Sequence, residues 1–196
     1  AGHAIGGRIQ SDRTAGFTLD HGFQVLQTAY PEARRQLNLD QLNLKPFSPG
    51  VGVKLKESIY YIADPVRQPQ DLWQTLSAPI GSLSDRLRLL KLFAGNMRLG
   101  PEGIFAQPDT PTIDFLKSWS FSDQGIERFF KPFFAGACLD PEIQASSRIF
   151  RYLFNIFASA DAALPEKGMG AIPEQLAQGL HPDQIRLGAT VKAVDK

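Results

Sequence analysis

Apolar positions recur with a helical period through the middle of this chain. Leu83, Leu87, Leu90, Ala94 and Met97 follow one another at spacings of three and four residues, which puts them on one face of a helix. Arg86 and Lys91 lie off that stripe. Ser82-Leu83-Ser84-Asp85 supplies a start signal. A serine N-cap with an acid three residues later can form a capping box, each side chain accepting from the other residue's backbone N–H. A second helix is expected from Ser122, with Phe121 and Ile126 spaced for a hydrophobic staple. Pro132 should kink or end it near Lys131. A third is expected from Ser147. There Arg148, Arg151 and Asn155 make a narrow polar line, while Ile149, Phe150, Leu153, Phe154, Ile156 and Phe157 fill most of the rest. Such a helix is largely buried or lines an apolar cavity.

Toward both ends the pattern shortens. Phe17-Thr18-Leu19 reads as a strand entered at Gly16 and left through Asp20-His21-Gly22. A helix is predicted from Tyr30-Pro31, where proline suits a first turn, to about Leu39. Val51 to Ile62 reads as two strands joined near Lys56-Glu57. After Gly168-Met169-Gly170 comes a helix from about Ala171 to Leu180, then strands at Gln184–Leu187 and Thr190–Val194. The order suggests α/β edges around an α+β middle.

Composition narrows the class. A hydrophobic share of 43% with 21% charged residues supports a sizeable core and argues against overall disorder. A chain of 196 residues can hold one large domain or two small ones. With 21 basic and 20 acidic residues the net charge is +1, too little for a nucleic-acid binder that relies on a basic field. The single cysteine, Cys138, cannot form an internal disulfide, and no Cys/His cluster has zinc-ligand spacing. No metal site is therefore expected, and a reducing, cytoplasmic setting fits. No apolar run approaches the roughly 18–20 residues needed to span a bilayer, and Ala1 to Arg8 lacks the pattern of a signal peptide. The apolar and basic residues between Leu83 and Met97 suit a core-facing helix, and equally a peripheral membrane contact.

Candidate chemistry is sparse. Gly6-Gly7-Arg8 could bring backbone close to a phosphate that arginine then grips, or it could be a plain turn. It is not the dinucleotide fingerprint, whose glycine spacing differs. Asp20-His21-Gly22-Phe23-Gln24 could let a flat ring approach the main chain, or it could be a solvated turn. His21 has no serine or cysteine partner that would make a triad. Phe129, Phe130, Phe133 and Phe134 read as core packing or as the wall of a pocket for a large apolar substrate. Arg67, Arg128, Arg148 and Arg151 read as structural or solvated. Asp114, Asp123 and Asp140 sit where capping is the default role. No two carboxylates form an evident acid–base pair, and no catalytic residue is assigned.

Together these pieces resemble the FAD-dependent amine oxidase superfamily, in particular its protoporphyrinogen oxidase-like and phytoene desaturase-like members. Gly6-Gly7-Arg8, followed by Gly16-Phe17-Thr18-Leu19-Asp20-His21-Gly22-Phe23-Gln24, resembles the stretch after that family's dinucleotide-binding unit. Phe130-Lys131-Pro132-Phe133-Phe134-Ala135-Gly136 and Asp140-Pro141 are similar to its substrate domain. Leu164-Pro165-Glu166-Lys167-Gly168-Met169-Gly170-Ala171-Ile172-Pro173 with Leu176 looks like the return into the FAD domain, and Ile185-Arg186-Leu187 with Val191–Val194 like the strand pair after it.

The resemblance implies Rossmann-like FAD-domain segments at residues 1–37 and 164–196, flanking an inserted, largely helical substrate domain with a small sheet at residues 38–163. It implies FAD as cofactor. Gly6, Gly7 and Arg8 would lie along the pyrophosphate and ribose, Gly22, Phe23 and Gln24 near the flavin ring, and Val191 would reach the adenine through its main chain. Phe130, Phe133, Phe134 and Phe154 would line the substrate pocket. The phosphate-binding turn that the family places before this stretch is not in the sequence, so the chain is expected to be an internal piece of a longer enzyme, binding FAD weakly or not at all by itself. Hydride transfer from a large apolar small molecule to the flavin is the expected reaction. A flavin-dependent isomerase and a non-catalytic binding module remain the alternatives.

Overall fold

A computed structural model of the chain describes residues 2–22, 24–63 and 67–194. In chain order its elements are β1 (Gln10–Thr14), β2 (Phe17–His21), β3 (Leu26–Gln27), α1 (Pro31–Gln36), β4 (Leu44–Pro46), β5 (Gly50–Leu55), β6 (Ser58–Ala63), α2 (Leu72–Ser77), α3 (Leu83–Phe105), α4 (Thr112–Ser118), α5 (Asp123–Gly125), a π-helical turn (Ile126–Phe130), α6 (Lys131–Cys138), α7 (Ser147–Ser159), β7 (Ala162–Pro165) and α8 (Ala171–Ala177). The fold is mixed α/β, with several helices and small antiparallel sheets. Backbone proximity divides it into two compact units, Ala1–Phe47 with Ala160–Lys196, and Ser48–Ser159.

In the first unit β1 and β2 form a hairpin, with Gln10 opposite His21 and Thr14 opposite Phe17. Its two turn residues, Ala15 and Gly16, both take positive φ (51° and 84°), the geometry that matches a tight turn to the twist of paired strands. Strand β1 is Gln-Ser-Asp-Arg-Thr, with no apolar alternation to announce it, so the sequence pattern shows only its partner. Strand β7 lies between β3 and β4 and runs antiparallel to both. Leu26, Leu42, Met169 and Ile172 form the small core beneath them. Helices α1 and α8 start where the proline and glycine signals put them, and each stops about three residues sooner than the pattern suggests.

The strands expected at Gln184–Leu187 and Thr190–Val194 are not formed. Pro182–Gln184 is a 3₁₀ turn and residues 185–194 have no regular structure. A strand needs a neighbour to take up its backbone N–H and C=O groups. Among the described residues none lies beside this segment, and Leu187, Val191 and Val194 are exposed.

The second unit holds the larger core. Leu92, Leu116, Phe121, Ile126, Phe130, Phe134, Ile143 and Phe150 are buried together. Their rings meet mostly edge to face, with Phe134 and Phe150 centroids 4.6 Å apart and Phe121 and Phe130 centroids 4.8 Å apart, the arrangement ring quadrupoles favour. Strands β5 and β6 pair as a hairpin turning at Lys56, whose φ is 55°. Helix α3 opens with the capping box read from Ser82 and Asp85. It runs on past Met97 but breaks at Gly100 (φ 65°, ψ 177°), just before Pro101.

Pro132 does not end its helix. The chain passes through the π turn Ile126–Phe130 and continues as α6, with Pro132 in that helix's first turn, where a missing N–H costs little. Helices α3 and α7 are cross-linked in the interior: the buried Arg151 donates from Nε to Asn96 Oδ1 at 2.9 Å and lies 5.3 Å from the Phe115 ring.

The apolar stripe of α3 is not the core-facing one. Leu83, Leu87, Leu90 and Met97 are 65%, 62%, 55% and 50% exposed, whereas Leu92 and Asn96 on the opposite side are fully buried. The regular spacing identified the helix and left open which face its neighbours cover. Among the described residues no helix is long and apolar enough to cross a membrane.

Candidate functional site

Each unit carries a candidate site. In the first it centres on the loop before β1. Gly6 and Gly7 take positive φ in succession (95° and 56°). A Cβ on Gly6 would meet the Ile9 carbonyl and, at 2.7 Å, the Pro173 ring of α8, so glycine is the residue that fits. Gly7 is different, because nothing lies within 4 Å of where its Cβ would be. A ligand could therefore come close to its backbone. Arg8 follows, exposed and with no hydrogen-bond or ion-pair partner among the described residues. Gly22, at the end of the hairpin, lies against this loop: a Cβ there would be 3.2 Å from the Arg8 carbonyl oxygen. The fold thus brings Arg8 and Gly22 together, fourteen positions apart in sequence.

The same hairpin grips the turn 168–170. Asp20 Oδ1 accepts from the Met169 N–H at 2.9 Å and from the Ser11 hydroxyl, and Ser11 Oγ accepts from the Gly170 N–H at 2.8 Å. A Cβ on Gly168 would stand 2.6–2.7 Å from Ser11 Oγ, Thr18 Cγ2 and Asp20 Oδ1. Nothing in the sequence singles out Ser11, a lone serine in a polar strand.

The other residues of this group lie further out. Gln24 is exposed and donates from Nε2 to the Asp20 carbonyl at 3.4 Å. His21 pairs with Asp12 across the hairpin at 2.7 Å, both exposed. Val191 is exposed on the irregular C-terminal segment, which is tied back where the Gly188 N–H donates to the Gly2 carbonyl at 2.8 Å. Phe23 lies outside the described residues.

The second unit holds a cavity of about 230 Å³. Leu76, Ile80, Leu89, Leu90, Phe129 and Phe130 make much of its wall. Of the four phenylalanines proposed for a pocket, Phe130 is in that wall. Phe133, Phe134 and Phe154 lie in the aromatic packing instead, Phe133 stacking on Phe129 and Phe154 on Phe150. No spacing signal could mark Leu76 or Ile80, which enter the wall from α2 and the turn after it.

The polar groups at this wall are already engaged. Thr75 Oγ1 accepts from the Ala63 N–H at 2.9 Å, and Arg86 donates to the carbonyls of Leu76 and Ala78. Burial alone would push the Asp85 carboxyl up. Hydrogen bonds from Ser122 and Ser82 outweigh it and hold the group at about 2, so it is ionised at neutral pH and both its oxygens are engaged within the protein. The Cys138 thiol is pushed up by burial and then by Asp140, the opposite of an activated nucleophile. Among the described residues no cluster of three or more His, Cys, Asp or Glu side chains could hold a metal ion. What the cavity offers is mainly apolar surface.

A sequence model for a family described as flavin containing amine oxidoreductase matches residues 1–196. The chain belongs to this family. Neither a curated protein nor a solved structure matches it. A flavin-containing amine oxidoreductase is a flavin-dependent redox enzyme, and the loop of the first unit fits such a group. The open Gly7 backbone and Arg8, without a partner among the described residues, are groups of a kind that can take a phosphate.

Proposed function

We propose that this chain is part of an FAD-dependent oxidoreductase that moves a hydride from a large, apolar small molecule to the flavin. In this reading residues 1–37 and 164–196 belong to the Rossmann-like FAD-binding part, and residues 38–163 to the substrate part. When bound, FAD would supply the hydride acceptor at its N5 atom. Gly6, Gly7 and Arg8 would hold the pyrophosphate and ribose. Gly22, Phe23 and Gln24 would border the ring, and Val191 would serve the adenine through its main chain.

The observation that carries the cofactor half is the approach of Gly22 to the Arg8 carbonyl, beside a glycine whose outer side is open. A phosphate and a flat ring could then be held along one continuous edge. The apolar cavity supports the substrate half. With the described polar groups of its wall hydrogen-bonded within the protein, it favours an apolar ligand over one that needs ion pairing. Phe130 would touch that ligand, while Phe133, Phe134 and Phe154 would stiffen the wall behind it. Among the described wall residues, Asp85 and Arg86 are engaged in hydrogen bonds within the protein, which suits chemistry carried by the cofactor.

The test is retention of FAD by the full-length protein on gel filtration. Arg8→Ala and Gly7→Val should each release flavin that the parent protein keeps. Unchanged retention in both would remove the loop from the cofactor site.

A further inference from the structure

We propose that the outer face of α3 docks on an anionic lipid bilayer. Leu83, Leu87, Leu90 and Met97 form an apolar arc that no other part of the described chain covers, all four at least half exposed. Between Leu83 and Arg98 the charged residues are Asp85, Arg86, Arg88, Lys91 and Arg98. Asp85, the single acid among them, is buried. The charge this stretch shows to solvent is therefore of one sign.

Its placement matters more than its amount. At about 100° per residue, Lys91 and Arg98 fall within roughly 40° of Leu87, along one border of the apolar arc. Neither has a hydrogen-bond or ion-pair partner among the described residues. Arg86 lies on the other border and is tied to the carbonyls of Leu76 and Ala78, which fixes the end of α2 beside α3. Helix α2 carries no charged residue between Leu72 and Ser77, and its Trp73 is 80% exposed.

An apolar arc edged by free lysine and arginine, with an exposed tryptophan on the adjoining helix, is the chemistry of a helix lying in a headgroup layer. The aliphatic stems cover apolar surface and the charges reach lipid phosphates. A protein partner would need acidic groups opposite Lys91 and Arg98, whereas a bilayer containing anionic lipid supplies them at any register. Leu90 belongs both to this face and to the cavity wall, so a membrane-dissolved ligand would meet the cavity at the docked surface. That consequence rests on the cavity being the substrate site, and the docking itself does not.

Vesicle sedimentation of the full-length protein tests it, using phosphatidylcholine alone and phosphatidylcholine mixed with phosphatidylglycerol. The protein should sediment with the mixed vesicles, remain in solution with the neutral ones, and be released by salt. Lys91→Gln with Arg98→Gln should weaken binding about 25-fold, at roughly fivefold for each basic residue near an anionic surface. Leu83→Gln with Leu87→Gln should abolish it. None of the four residues lines the cavity or belongs to the candidate cofactor loop, so flavin content should not change, and a binding loss accompanied by loss of flavin would not count for the docking. No sedimentation with mixed vesicles overturns the proposal. So do variants that bind like the parent, and so does a dimer that the leucine pair breaks while vesicles are ignored. If the variants do not fold, lipid and salt dependence of the parent protein decide alone.

Discussion

Asp85 and Ser122 are joined twice: the carboxylate accepts the Ser122 N–H at 2.8 Å through one oxygen and the Ser122 hydroxyl at 2.5 Å through the other. The same carboxylate accepts from Ser82 at the start of α3. One side chain thus caps α3 and fixes the start of α5 thirty-seven positions later.

This arrangement sets a pH dependence. The Asp85 carboxyl is held at about 2 against an ordinary value of 3.8, which corresponds to about 2 kcal/mol of stability. Because the folded value is lowered, that contribution is present in full above about pH 4 and is lost as the pH falls toward 2. Asp85→Asn should destabilise the protein by about 2 kcal/mol at neutral pH in urea unfolding. It should also show a correspondingly smaller loss than the parent between pH 4 and 2. Parallel acid titrations of the two proteins would remove this assignment.

Gly168→Ala should destabilise the first unit by about 2–3 kcal/mol, since alanine is strained at φ 85° and its methyl would press on Ser11, Thr18 and Asp20. Gly95→Ala is the contrast. It lies inside α3 with open space where a methyl would go, and should stabilise by up to about 1 kcal/mol. Thermal unfolding of the two variants should move in opposite directions.

Asn96→Ala removes the acceptor of the buried Arg151 Nε–H. The expected cost is about 1–3 kcal/mol, the range for leaving such a group unpaired. A double-mutant cycle with Arg151→Met should show that most of this cost vanishes once the arginine is gone.

Ile80→Trp should place a ring in the cavity. Binding of an apolar fluorophore should fall at least tenfold, at a stability cost of about 1–3 kcal/mol for the added bulk at a buried position. Unaltered fluorophore binding would show that the probe sits elsewhere.

Local grammar made much of the helical middle legible. Ser82, Ser122 and Ser147 each begin a helix, and the first two cap through their side chains. What sequence could not convey was direction and partnership. The stripe from Leu83 to Met97 fixes a helix but does not say whether protein covers it. The alternation at Thr190–Val194 fixes a tendency to extend, and without a neighbouring strand that tendency gives no sheet. Strand β1 shows the reverse, a polar segment made into a strand by its partner. At the candidate sites, Gly6, Gly7 and Gly22 stood out by residue type. Ser11, Leu76 and Ile80 did not, because their roles come from elements distant in sequence.

The central claim is that this chain helps to bind FAD and to present an apolar substrate to it. The most direct measurement is the visible spectrum of the purified full-length protein, before and after anaerobic addition of candidate substrates. The account predicts stoichiometric FAD and bleaching by large apolar compounds. Failure to bind FAD on reconstitution, or bleaching by short polar amines alone, would contradict it.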